Sequence, residues 1–244
     1  MKRSYFKYLI TKLIGWLFQE IQMVCLANSR KNSGHCIVGK VIKRDGFGGW
    51  IRPVSIRPSR EISDQEIGSI SQSIKMLDIV AVPIYKQNKT SNQPENYFIS
   101  GRAWKKIGTL DLDQIDKLLD KADGDLWING NSTRHGLNDT FPLNSLHDKI
   151  ETSLFFIKPE LHYLEVMTEK NTERNNLRRV RAEFTHNNMG YRLVITDNIV
   201  EKRFLQMPDG KYPNNSKEIY FTISLVYFEG TDSFYKVVAG IIGL

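Results

Sequence analysis

Cysteine is scarce: Cys25 and Cys36 are the only two among 244 residues. A pair cannot form a disulfide framework, and a reducing cytoplasm is the default compartment. With His35 they do not make a zinc set either, because the spacing is wrong and no fourth ligand is evident. Neither a metal nor a cofactor is expected. A phosphate-cradling glycine loop with its lysine is missing, as are a nucleophile elbow and a metal-ligand cluster. An enzyme, nuclease or small-nucleotide hydrolase, therefore ranks behind two binding readings. No uninterrupted apolar run is long enough to span a bilayer. Acid is also nearly missing from one region: residues 23–60 hold eight cations against Asp45 alone. That region has the same net charge, +7, as the whole chain. Such concentration favours a local polyanion site over a diffuse basic coat.

Residues 1–22 stand apart. Phe6, Leu9, Ile10, Leu13, Ile14, Leu17 and Phe18 recur at helical spacing behind a basic start. A helix packed on the fold, a targeting or membrane-surface helix, and an upstream extension all fit. No small-x-small cleavage pattern closes the stretch. Met23 then opens what reads as a first strand, and residues 1–22 are expected to be dispensable for the fold.

Residues 33–55 organise the remainder. Two β-branched stretches, 36–42 and 50–54, flank a turn at Asp45-Gly46. Gly39 inside the first stretch signals a bulge or a close backbone approach. Lys40, Lys43, Arg44, Arg52 and Arg57 surround Trp50. A basic hairpin carrying an aromatic can hold a phosphate backbone and stack a base. Taken alone, Trp50 is expected in the core, since a lone strand tryptophan usually packs inward. Arg52 has a second reading, as the brace of an internal carboxylate such as Asp78 or Asp139.

Further along, residues 77–85 read as a buried strand and 63–66 as a helix start. A leucine/isoleucine stripe over 110–119 predicts a helix, with Asp111, Asp113, Asp116 and Asp120 as a solvated face. Residues 126–142 are irregular and dense in side chains that bond backbones or phosphates, fitting a connector or a ligand-contacting loop. From Ser153 the chain turns β-rich again. Strands are expected at 154–157, 161–167, 180–185 and 191–196, with Asn187-Asn188-Met189-Gly190 as a hairpin turn. A last hairpin joins 219–228 to 234–242. Each half offers about five short strands, which suits two small barrels or one split sandwich.

Several blocks carry a resemblance jointly: Val24-Cys25-Leu26-Ala27-Asn28-Ser29-Arg30-Lys31, Gly34-His35-Cys36-Ile37-Val38-Gly39-Lys40, Gly48-Gly49-Trp50-Ile51-Arg52-Pro53-Val54-Ser55, Leu77-Asp78-Ile79, Trp127-Ile128-Asn129-Gly130 with Gly136-Leu137-Asn138-Asp139, and Tyr191-Arg192-Leu193 through Thr196-Asp197. The chain resembles the bacterial dual-OB-containing domain family over residues 23–244. The resemblance implies a nucleic-acid-binding module linked to mobile-element or defence contexts, and it brings no catalytic residues. The expected fold is all-β: OB-like barrels over 23–125 and 151–244, joined by a helix and an irregular loop at 126–150. The expected function is non-catalytic nucleic-acid binding, preferably to single strands. Arg30, Lys31, Lys40, Lys43, Arg44 and Arg52 are the backbone-tracking cations and Trp50 the stacking candidate. Asn138 and Asp139 contact bases or brace the hairpin. A protein-protein adaptor is the alternative.

Overall fold

The computed structural model describes residues 19–31, 34–90, 92–122, 124–146, 150–169, 177–214, 216 and 218–244. The sequence reading of residues 1–18 lies outside them. The first sheet is built from β1 (Gln19–Lys31), β2 (Gly34–Lys43), β3 (Gly46–Val54), β4 (Asp78–Gln87), β5 (Asn96–Ile99) and β6 (Lys105–Thr109). Its strands run β1-β2-β3-β5-β4, and β4 pairs back onto β1, closing a five-stranded barrel. β3 and β5 are parallel, the other barrel pairings antiparallel. A short helix α1 (Asp64–Ile67) separates the third strand from the fourth. This order, with a helix in that connection, is that of an OB barrel. β6 hangs on β4 outside the ring.

Local chemistry accounts for these elements. Ser63 and Glu66 form a reciprocal capping box at α1, the signal visible in the sequence. Gly39 sits where a Cβ would collide with the Val24 carbonyl, so its absence lets β1 and β2 approach. β1 opens earlier than the sequence suggests: Gln19 to Gln22 pair with Ile84 to Ala81 and help close the barrel. Met23, Cys25, Ile37, Ile51, Val80 and Val82 point into its core.

The second sheet comprises β7 (Thr140–Pro142), β8 (Leu154–Ile157), β9 (Glu160–Glu169), β10 (Leu177–His186), β11 (Met189–Ile195), β12 (Gly210–Pro213), β13 (Tyr220–Phe228) and β14 (Ser233–Ile242). Its path is β12-β9-β10-β11-β14-β13-β8, with β7 on β14. The parallel β11–β14 pair repeats the β3–β5 relationship. Helix α2 (Asn198–Leu205) again lies between the third and fourth strands of the OB order. The sequence reading did not anticipate α2. Asp197 caps it, accepting from the amides of Ile199 and Val200. Leu164, Val180, Phe184, Tyr191, Phe221 and Val238 share one core, so β9 and β13 curl towards each other. The β10–β11 turn carries positive φ at both Asn187 and Asn188, as a type I′ hairpin requires.

The expected helix over 110–119 is a 3-10 segment instead, Leu112–Leu118. Its buried Ile115 and Leu118 join Val24, Leu26, Phe156 and Tyr220 in a cluster shared by both sheets. Burial against two barrels, rather than a solvated amphipathic face, decides its conformation.

Candidate nucleic-acid interface

The candidate hairpin is β2–β3, and the second barrel covers much of its outer face. Val38 and Trp50 pack with Ala27 against Leu154 and Ala239. Lys40 is 6% exposed, and its Nζ lies 2.5 Å from Asp120 Oδ1. Trp50 Nε1 donates to Asp120 Oδ2 at 3.0 Å. The same carboxylate accepts from the Phe156 amide at 2.7 Å. Trp50 is thus neither inside the barrel nor an open stacking platform: it is half-buried in the seam. Asp120, a member of the supposed solvated face, joins the two barrels. One acid among several aspartates has no local signal to single it out.

Arg52 is 3% exposed and faces Glu95 at 3.3 Å. Its Nη2 also donates to the hydroxyls of Ser153 and Ser224. The expectation of an internal brace holds in kind, with Glu95 as partner. Asp78 instead holds Lys106 at 2.7 Å, and Asp139 holds Arg181 at 3.3 Å. Arg52 and Lys40 are therefore spent within the fold.

Asn138 and Asp139 serve the connector. Asn138 Oδ1 accepts from Gly130 N and its Nδ2 donates to Gly190 O, each at 2.9 Å. Asp139 accepts from Thr133 N at 2.7 Å and Thr133 Oγ1 at 2.6 Å. A Cβ on Gly136 would strike the Asp139 carboxylate, which explains the glycine in Gly136-Leu137-Asn138-Asp139.

Lys43 and Arg44 remain. Both are exposed at the β2–β3 turn, beside Gly46 with φ +134°, and neither has an ion-pair partner among the described residues. Arg30 and Lys31 end β1 at the opposite end of β2, where Arg30 pairs with His35 and Lys31 with Gly34. The candidates thus divide into two basic turns and a set of internal braces.

The sequence matches the dual OB-containing domain family over residues 21–241. The chain belongs to that family. No curated protein matches the sequence. Among solved structures, a tetrameric HIN2 crystal structure is similar at 7% identity, covering 91% of this chain and 89% of that one, with a TM-score of 0.32. A murine DNA-binding protein bound to double-stranded DNA is similar at 8% identity, covering 91% and 100%, with a TM-score of 0.29. Overlays this loose carry no argument here.

In this dual-OB chain the outer face of the second barrel is also engaged. Arg181 bridges Asp139 and Glu169, and Arg192 pairs with Glu165. Lys236, 1% exposed on β14, reaches the Ile128 carbonyl and Asn129 Oδ1 at 2.7 Å each. Burial pulls its ammonium down to about 7, against the opposing pull of Asp125 and Asp139. Among the described residues, no group of three His, Cys, Asp or Glu is placed to hold a metal ion. Among them too, no helix is long and apolar enough to cross a membrane.

Proposed function

We propose that this chain binds nucleic acid without transforming it, preferring single strands, through the basic turns at the two ends of β2. The observation that carries the reading is the pair Lys43 and Arg44, exposed and unpaired among the described residues. They lie within the stretch where cations outnumber acids eight to one. An exposed cation with no carboxylate beside it is free to displace counterions from phosphate. Arg30 and Lys31 extend the same polarity to the far end of β2. Membership of a dual-OB family supports the reading, since OB barrels commonly hold oligonucleotides.

The test is a titration of labelled single-stranded DNA, single-stranded RNA and duplex DNA at several salt concentrations. Replacing Lys43 and Arg44 by glutamine should weaken single-strand binding. Each lost phosphate contact should make the slope of log affinity against log salt shallower by about 0.7. Stability should move by less than about 0.5 kcal/mol, because both side chains are exposed. If no nucleic acid binds even at low salt, the reading fails and the adaptor alternative replaces it.

A further inference from the structure

The basic opening stretch does not hold every cation of the first barrel. Residues 79–110 carry five more against Glu95 alone, and Glu95 faces Arg52 in the seam. Three strands bring part of this excess to one place. Phe98 on β5 has Val54 on β3 and Lys86 on β4 as its cross-strand neighbours, so the three side chains share one face. Tyr97 and Ile99 pack with the barrel core, which turns Phe98 and its row outwards. Val54 is buried, Phe98 half-buried and Lys86 exposed.

The chain leaving β3 folds back over this row. Arg60 N donates to the Arg57 carbonyl at 3.0 Å, and Ser55 N donates to the Arg60 carbonyl at 3.2 Å. Arg60 takes a φ of +63° in this turn, and its guanidinium stands 4.9 Å from the centre of the Phe98 ring. The two arginines of the turn differ in state. Arg57 is held by Glu66. The Arg60 guanidinium has no acid or carbonyl partner among the described residues, and its Nη1 is enclosed without an acceptor. Lys86 and Lys89 are exposed and equally without a partner among those residues. Glu61, beside Arg60, and Glu95, three positions before Phe98, are both buried.

We propose that Arg60, stacked on Phe98, and Lys86 beside it hold a phosphate of the bound strand, at the end of β3 opposite to Lys43 and Arg44. The inference rests on the nucleic-acid reading above and adds a second contact to it. A guanidinium laid on a ring is fixed in plane and presents its N–H groups as a fork suited to phosphate. The ring attracts the cation without neutralising it, so the charge stays available. A donor enclosed without an acceptor is satisfied by an anion brought to it. Lys86 and Lys89 raise the local potential further with no exposed acid on the row, which favours a polyanion over a lone carboxylate. The second barrel covers β3 between the two sets, through Trp50 and Arg52, so each set is a contact of its own.

The test uses the full chain and labelled oligothymidine over a series of salt concentrations, with a thermal melt of every variant. Arg60→Gln and Lys86→Gln should each make the slope of log affinity against log salt shallower by about 0.7, which is about a fivefold loss at about 0.1 M salt relative to about 1 M. Arg60→Lys keeps the charge and should restore the slope, with affinity recovered only in part because the fork is lost. Arg57→Gln, in the same turn but engaged by Glu66, should leave the slope unchanged. Binding that Lys43→Gln/Arg44→Gln weakens, with affinity and slope unmoved by Arg60→Gln and Lys86→Gln, overturns this site and leaves the hairpin contact standing. Equal losses from Arg57→Gln and Arg60→Gln without a change of slope mark the turn as structural and overturn it too. Competition by inorganic phosphate beyond its ionic-strength effect, abolished by Arg60→Gln, assigns the site to a free phosphate and overturns the strand assignment. No binding of any nucleic acid overturns both readings. If Arg60→Gln fails to fold, the exposed Lys86→Gln decides alone.

Discussion

Arg52 and Glu95 face each other 3.3 Å apart in the seam between the barrels, each side chain at most 5% exposed. The Ser153 hydroxyl sits between them, accepting from Arg52 and donating to Glu95. Ser224 takes a further Arg52 proton at 3.3 Å. One arginine of the first barrel thereby gathers β13 and the residue that leads into β8 of the second. Two buried opposite charges offset one another's desolvation, and either alone is costly.

Replacing Arg52 by methionine should therefore destabilise the chain by about 3–5 kcal/mol, because Glu95 is left charged and buried. The double variant Arg52→Met/Glu95→Met should recover much of that loss. Denaturant unfolding of the two singles and the double, read as a cycle, measures the coupling. Additive losses would show that the seam does not depend on this pair.

Gly136→Ala tests the connector. The added methyl occupies the space of the Asp139 carboxylate, which must then leave Thr133 or Arg181. A loss of at least about 2 kcal/mol is expected, on the scale of a broken buried network. Gly124→Ala, where a Cβ meets open space, is the matched control and should be near neutral.

Lys236 should give stability an unusual pH dependence. Its folded pKa, about 7, lies below the usual 10.5, so the unfolded chain binds more protons between those values. Stability contributed through this group rises with pH across that window, by up to about 1.4 kcal/mol per unit, and its cost is fully present below pH 7. Cys25, with its thiol held up near 12, works in the opposite sense above about pH 9. The rise is thus cleanest from pH 7 to 9. Lys236→Met should flatten it in urea melts over that range, whatever its effect on absolute stability.

Trimming the start separates two roles of the first residues. A chain beginning at Gln19 keeps every β1–β4 pair, while one beginning at Met23 loses the four from Gln19 to Gln22. The shorter chain should melt at a lower temperature than the longer, because those rungs help close the first barrel. Equal melting temperatures would show that closure rests on Met23 and Val24 alone.

Much of the secondary structure was readable locally, and for a physical reason: it depends on signals a few residues apart. Alternating β-branched residues mark the strands, Ser63 with Glu66 marks α1, and Asn187-Asn188 marks a turn needing positive φ. The excess of cations in residues 23–60 is likewise a property of the chain itself. The fate of each cation is not. Lys40 and Arg52 look no different in sequence from Lys43 and Arg44. They differ because Asp120 and Glu95, 80 and 43 positions away, are folded against the first two. Asp120, Glu95 and Lys236 carry no local mark, since burial is decided by which faces of two barrels meet. Two β-rich halves, the first of them basic, follow from residue order alone. Which charges close the seam and which stay exposed follows from how the two barrels pack, because pairing and desolvation depend on distances that the chain order does not contain.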